Sequence, residues 1–310
     1  MGKYVGKRLL SLVPILLGIT FLTFLLLYIA PGDPAQKRLS SNSGVAVTQE
    51  QIDNMREEMG LNRPFLVQYG SWLGHALTGD LGTSYKDSMP VSGKLGPAFR
   101  RTMQLALTSL LVALIISIPT GILSAVYRGS FWDHLFRLLS FIGNSLPNFL
   151  LSILLMYFFC IQLDLFPVIA TGSFQGLFLP TLALALPMAS RFVRQIRAEV
   201  LEELGKDYVT GLTARGVKSG WVLFRNVLRN SMASILTIVG ISFGTLLGGS
   251  VVVETIFSWP GVGKLAMDSI SARDYPVIQG FVLIMALVYV LINLLTDLAH
   301  HWLDPRVELE

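Results

Sequence analysis

Six long stretches of this chain carry no charged side chain at all: 9–30, 102–127, 138–163, 165–190, 230–253 and 275–296. A helix needs about 20 predominantly apolar residues to cross a bilayer, and each run is long enough. Backbone inside hydrocarbon must satisfy its own hydrogen bonds, and runs this continuous suit helices rather than the alternating strands of a barrel. The expected fold is therefore an all-α integral membrane protein with six transmembrane helices. The third and fourth runs nearly touch, so residues 164–176 must hold a tight turn, and "FPVIATGSFQG" supplies the proline and glycine for one.

Composition excludes several other classes. Hydrophobic residues make up 52% and charged residues 14%, against about 25% charged in a soluble domain. Cys160 is the single cysteine, so no intrachain disulfide, multi-cysteine zinc site or CxxC pair can form. The net charge of +4 is modest, and the basic residues sit beside apolar runs, which points to membrane orientation rather than to nucleic acid.

Those basic residues orient the chain. Lys3, Lys7 and Arg8 precede the first run, and Arg128 and Arg137 flank the connection between the second and third. Arg191, Arg194, Arg197, Lys206, Arg215, Lys218, Arg225 and Arg229 lie between the fourth and fifth. The positive-inside rule places all of them in the cytoplasm, and an even number of spans puts both termini there too. The first apolar run is longer than a signal-peptide core, and "YIAPGD" offers no small-x-small cleavage site, so it reads as a retained helix.

The chain divides accordingly. Residues 1–30 form a cytoplasmic N-terminus and first span, and 31–101 an extracytoplasmic segment. Residues 102–302 form a five-helix core with a cytoplasmic loop at 199–229, and 303–310 a cytoplasmic tail. Within 31–101, "TQEQIDNMREEMG" has an N-cap at Thr48, a capping-box Gln51 and a closing glycine. "FLVQYGSWLGHAL" reads as an interfacial helix with Phe65, Tyr69 and Trp72 at headgroup depth.

"KDYVTGLTARGVKSGW" (206–221) interrupts the apolar pattern between the fourth and fifth runs. Tyr208, Val209, Leu212 and Val217 are apolar while Lys206, Asp207, Arg215 and Lys218 are charged, which predicts an amphipathic helix of about three turns ended by Gly216. One reading is a helix resting on the inner leaflet. The segment lacks the large Leu/Phe face and polybasic stripe that lipid anchoring needs, so a groove in another protein is the alternative.

Several stretches together resemble the inner-membrane permeases of bacterial ABC importers of the dipeptide, oligopeptide and nickel type. They are "DYVTGLTARGV" with "FRNVLRNS", "VVVETIFSWPGVGKLAMDSISARDYPVIQG", "MGLNRPFLVQYGSWLGHALTGDLGTSY" and "LTDLAHHWLDPR", and the likeness runs nearly end to end. It implies a type I ABC importer permease fold that forms half of a translocation pathway. The other half would be a second homologous permease. Two cytoplasmic ATPase subunits would carry ATP and Mg, and an extracytoplasmic binding protein would deliver short peptides or a nickel or other metal chelate. "LPNFLLS" and "GVKS" lean toward the metal branch. The 206–221 segment resembles the family's ATPase-docking loop, with Asp207, Tyr208, Gly216 and Val217 inserted in the ATPase cleft. Aligned on Gly216, the family's E-A-A positions fall on Thr210, Gly211 and Leu212, with Arg215 beside the glycine. Asn226 and Arg229 replace the usual Ile and Pro, whereas Leu228 fits.

No nucleotide chemistry belongs to the chain itself, and no cofactor is expected on it. A P-loop needs GxxxxGK[ST], but in "SWPGVGKLAM" Ser258 stands at the first glycine and Leu265 at the hydroxyl. His75, His134, His300 and His301 are scattered. Polar groups in or near the spans are the remaining candidates. Arg191, Arg194 and Arg197 suit snorkelling and orientation, with a gate or ATPase contact as the alternative. Asn144, Pro147, Asn148 and Glu254 are candidates for a pathway or gate, although Glu254 reads equally as the partner of a nearby cation. Pro119, Pro180 and Pro187 interrupt other spans, and Gly240, Gly244, Gly248 and Gly249 permit close helix contact. An ion-coupled secondary transporter is the competing class, but it should carry repeat symmetry and mid-membrane carboxylates. An intramembrane enzyme would need a nucleophile–base pair or metal ligands within the spans.

Overall fold

Helix dominates the computed structural model, which describes residues 2–43, 47–170 and 172–303. Among those residues the β pairing reduces to one isolated bridge, Thr83 to Pro90. The tail at 303–310 lies outside the described residues apart from Leu303. The helices are α1 (Gly2–Ile29), α2 (Pro34–Ser43), α3 (Gln49–Glu58), α4 (Phe65–Leu77), α5 (Val91–Val126), α6 (Phe131–Ser145) and α7 (Asn148–Met156). Then come α8 (Phe174–Leu204), α9 (Asp207–Ala214), α10 (Ser219–Val222), α11 (Leu228–Ile256), α12 (Val262–Ala272) and α13 (Tyr275–Leu303). Short π-helical stretches extend α7 over Tyr157–Gln162 and lead into α11 over Leu223–Val227.

Five helices, within α1, α5, α8, α11 and α13, are long and apolar enough to cross a membrane. A sixth crossing exists if the bent pair Phe131–Ser145 and Asn148–Gln162 is one span. The third run is thus not the continuous helix its composition suggests, because it turns through 97° at Leu146–Pro147. Pro147 has no N–H to give, and Leu146 before it is held extended at φ −83°, ψ 122°. Pro119, Pro180 and Pro187, expected to interrupt their spans, sit inside the unbroken α5 and α8. The fourth helix starts at Phe174 rather than at 165. The Ser173 hydroxyl caps it by accepting from the Gly176 amide at 3.1 Å, and the Ala170 amide ties the preceding loop to the Phe257 carbonyl at 2.8 Å.

The chain folds as two units, Met1–Arg101 with Pro260–Leu291, and Thr102–Trp259 with Ile292–Glu310. In the first, α3 carries the expected capping box at Thr48 and Gln51. Phe65 and Tyr69 of α4 meet Phe21 and Phe24 of α1 edge-on, with ring centroids 5.4–5.6 Å apart. Asp274, buried at the end of α12, accepts from the Ser84 hydroxyl at 2.5 Å and the Tyr85 amide at 2.8 Å. This unit holds a cavity of about 540 Å³ lined by Asp33, Arg56, Trp72, Tyr85 and Gln279 among others.

The second unit is organised around α8, which is buried along most of its length. Small residues let its neighbours approach. A Cβ at Gly143 of α6 would meet the Ser190 hydroxyl at 2.1 Å, and one at Gly121 of α5 would meet Ile196 at 2.9 Å. Of the glycines on α11, Gly240 serves the expected packing role, since a Cβ there would fall 2.2 Å from Thr296 of α13, whereas Gly248 faces open space. Gly240→Leu should therefore overpack the α11–α13 contact and destabilise the unit by about 1–3 kcal/mol. Gly248→Ala, whose added Cβ meets nothing, should leave stability unchanged or raise it by up to about 1 kcal/mol. Thermal midpoints of the two variants in detergent would separate these outcomes.

Candidate coupling site

A single carboxylate holds the 206–221 segment to the rest of its unit. Glu203, one residue from the end of α8 and only 3% exposed, accepts from the Tyr208 hydroxyl at 2.8 Å and the Asn230 amide at 2.8 Å. The Lys206 ammonium completes the set. Three donors from three directions satisfy a carboxylate that would be costly to bury alone. Burial, and then the hydrogen bond to Glu203, push the Tyr208 phenol up to about 12, so it stays protonated and donating at neutral pH. A second tie joins the Ser234 hydroxyl to Glu199 at 2.8 Å, so α8, α9 and α11 are linked by polar contacts.

Local sequence explains the bend. Gly216 has φ +81°, the left-handed conformation in which glycine carries no side-chain penalty. Its amide donates to the Thr213 carbonyl at 2.9 Å and the Val217 amide to the Leu212 carbonyl at 3.2 Å, the paired bonds of a Schellman cap. Leu212 and Val217, the apolar pair that accompanies such a cap, both pack on the core. The helix is eight residues long, shorter than the expected three turns.

The docking residues proposed from the sequence divide into two sets. Tyr208, Leu212 and Val217 face inward onto the core, with Val209 buried between them. Tyr208 and Val217, expected to enter a partner's cleft, are here partly buried against their own chain. Both are occupied in holding α9 to its own chain. Asp207, Thr210, Gly211, Arg215 and Gly216 are exposed on the other side, and space around Gly211 and Gly216 is open.

The three arginines of α8 are also not equivalent. Arg197 grips Asp133 of α6 through two nitrogens, Nε to Oδ1 at 2.7 Å and an Nη to Oδ2 at 2.9 Å. Asp133 is 1% exposed and also accepts from the Ser124 hydroxyl at 2.6 Å and the Gly129 amide at 2.9 Å. Arg197 is thus an internal partner rather than a snorkelling residue, whereas Arg191 and Arg194 are exposed. Neither Asp133 nor Glu203 stood out in the sequence. A signal for Asp133 was present in "SFWD", where Ser130 caps α6 and the acid falls at the third helical position.

Of the pathway candidates, Asn144 and Pro147 are exposed at the α6–α7 break, and Asn148 is half-buried beside Gly249 of α11. Glu254 is apart from them in character. It is fully buried and accepts from the hydroxyls of Thr102 at 2.6 Å and Ser250 at 3.2 Å. The two hydroxyls hold its carboxylate inside the second unit.

The chain has known relatives. Residues 117–309 match the family described as "Binding-protein-dependent transport system inner membrane component", and residues 1–106 match its N-terminal companion. The chain is 40% identical over 307 residues to the "Glutathione transport system permease protein GsiC" of Salmonella typhimurium, covering 99% of each. It is 36% identical over 337 residues to the "Dipeptide transport system permease protein DppB" of Alkalihalophilus pseudofirmus, covering 99% of this chain and 100% of that one. The MetNI methionine ABC transporter in an inward-facing conformation shares the fold, with a TM-score of 0.58 and 17% identity over 68% of this chain and 96% of that one. The architecture is that of a type I ABC importer permease. The chain belongs to the family of binding-protein-dependent transport system inner membrane components, and it is a multi-pass permease subunit of an ABC importer.

Proposed function

We propose that this permease carries short peptides of glutathione or dipeptide size and forms half of their pathway beside a second homologous permease. Two separate cytoplasmic subunits bind ATP and Mg and hydrolyse the nucleotide, and an extracytoplasmic binding protein delivers the solute. Both termini lie in the cytoplasm, as the basic loops require. Peptides are preferred to a metal chelate because GsiC and DppB are named for glutathione and dipeptide, and the short "LPNFLLS" and "GVKS" signals do not outweigh near full-length likeness.

The observation that carries this reading is the two-sidedness of α9. Its inner face is fixed by Glu203 and the core, while its outer face offers Thr210, Gly211 and Asp207 to a partner. A helix held rigidly on one side and free on the other transmits a push. Differential affinity of α9 for the open and closed forms of the ATPase would bias α8 and α11 through the Glu203 linkage.

The test is uptake of labelled glutathione or a dipeptide into proteoliposomes. Uptake should require ATP together with the co-purified companion subunits. Uptake by this chain alone, driven by a proton or sodium gradient, would instead make it a secondary transporter.

A further inference from the structure

A recess of about 480 Å³ opens between α6 and α8, lined by His134, Arg137, Leu138, Phe141, Arg194 and Arg197. Its charge is unbalanced. Arg197 is neutralised by Asp133, but Arg137 and Arg194 have no ion pair or hydrogen bond among the described residues, and both are exposed. Its apolar side is equally uncovered. Leu138 is 56% exposed and Phe141 66%, on the same face of α6. About two turns before Leu138, Phe131 and Trp132 are also exposed, an aromatic pair of the kind that settles at headgroup depth.

Two cations above an apolar floor, between helices and beside an aromatic anchor, match an amphiphile with one anionic end. A soluble anion would use the arginines and leave Leu138 and Phe141 in water. A zwitterionic lipid would cover the apolar floor and leave the two positive charges without a counterpart. We propose that this recess is a binding site for an anionic phospholipid, the phosphate held by Arg137 and Arg194 with His134 at the rim and an acyl chain lying over Leu138 and Phe141. Basic pockets between transmembrane helices are the sites where such headgroups are retained. The Asp133–Arg197 pair has a positioning role. It fixes the start of α6 against α8 and so sets the spacing of the two free arginines.

The full chain, extracted with the companion subunits it retains, would be titrated with phosphatidylglycerol, phosphatidylcholine and inorganic phosphate in separate arms. Native mass spectrometry would read bound lipid, and thermal unfolding would read stabilisation. Phosphatidylglycerol should be retained and should raise the midpoint, while the other two should do neither. Arg137→Gln with Arg194→Gln should weaken phosphatidylglycerol retention roughly tenfold or more. Arg191→Gln, outside the recess, should leave it unchanged, and both variants should elute as the parent does on size exclusion. Equal effects of the two lipids, a full shift with phosphate alone, or undiminished retention by the double variant would each overturn the assignment. So would absence of arginine-dependent lipid from the assembled transporter, because a protein subunit would then cover the recess.

Discussion

Arg197→Ala should lower the stability of the second unit by about 3–5 kcal/mol. The size follows from what remains behind. Asp133 is 1% exposed, and without the guanidinium it keeps only the Ser124 hydroxyl and the Gly129 amide as donors. A buried carboxylate stripped of its counter-charge is far costlier than an unpaired surface ion. The reverse change, Asp133→Ala, should cost less, because the Arg197 side chain is 19% exposed and can extend toward water. Asp133→Asn should fall between parent and alanine, since it keeps the shape and part of the hydrogen bonding. Arg197→Lys should recover only part of the loss, because an ammonium cannot reproduce the two-nitrogen grip. Thermal midpoints in detergent, with expression in the membrane fraction, would rank the four. An Arg197→Ala variant within 1 kcal/mol of the parent would show that water, rather than Arg197, supports Asp133.

What could be read from the sequence, and what could not, divides by the range of the interactions. The spans follow from local composition, and α3, α4 and the turn at 216 follow from signals only a few residues long: Thr48 with Gln51, the spacing of Phe65, Tyr69 and Trp72, and Gly216 itself. The inner direction of Tyr208 and Val217 depends on Glu203 and on a core assembled from α8 and α11, so an apolar face alone could not say whose core it meets. The break at Pro147 shows the same limit. Pro14, Pro97, Pro119, Pro180 and Pro187 lie inside continuous helices, and nothing in the residue itself distinguishes them. The helix α12, hidden in what reads as an outer loop, has its apolar residues Val262 and Ala266 buried at helical spacing, a signal that charge counting passes over. Asp133 and Arg197 are 64 residues apart and meet only in the fold.

Gly211→Trp should abolish ATP-driven uptake while leaving the permease folded. Gly211 lies on the exposed side of α9 with nothing within 4 Å of an added Cβ, so an indole fits the isolated chain without clash. Tryptophan is also a better helix former than glycine, so the fold should not suffer. The same indole would stand between α9 and any groove that receives it, and a contact of this kind tolerates little added volume. ATPase subunits should therefore be lost on co-purification, with the thermal midpoint of the permease unchanged. The alternative site, Gly216→Trp, mixes two effects, because φ +81° adds about 1–2 kcal/mol of backbone strain for any other residue. Tyr208→Phe makes the complementary case. It removes the hydrogen bond to Glu203 and leaves the outer face intact, so the ATPase should remain bound while uptake per ATP hydrolysed declines. Retained uptake in Gly211→Trp would mean that α9 presents nothing to the ATPase. Lost ATPase in Tyr208→Phe would mean that the inner face, not the outer, forms the contact.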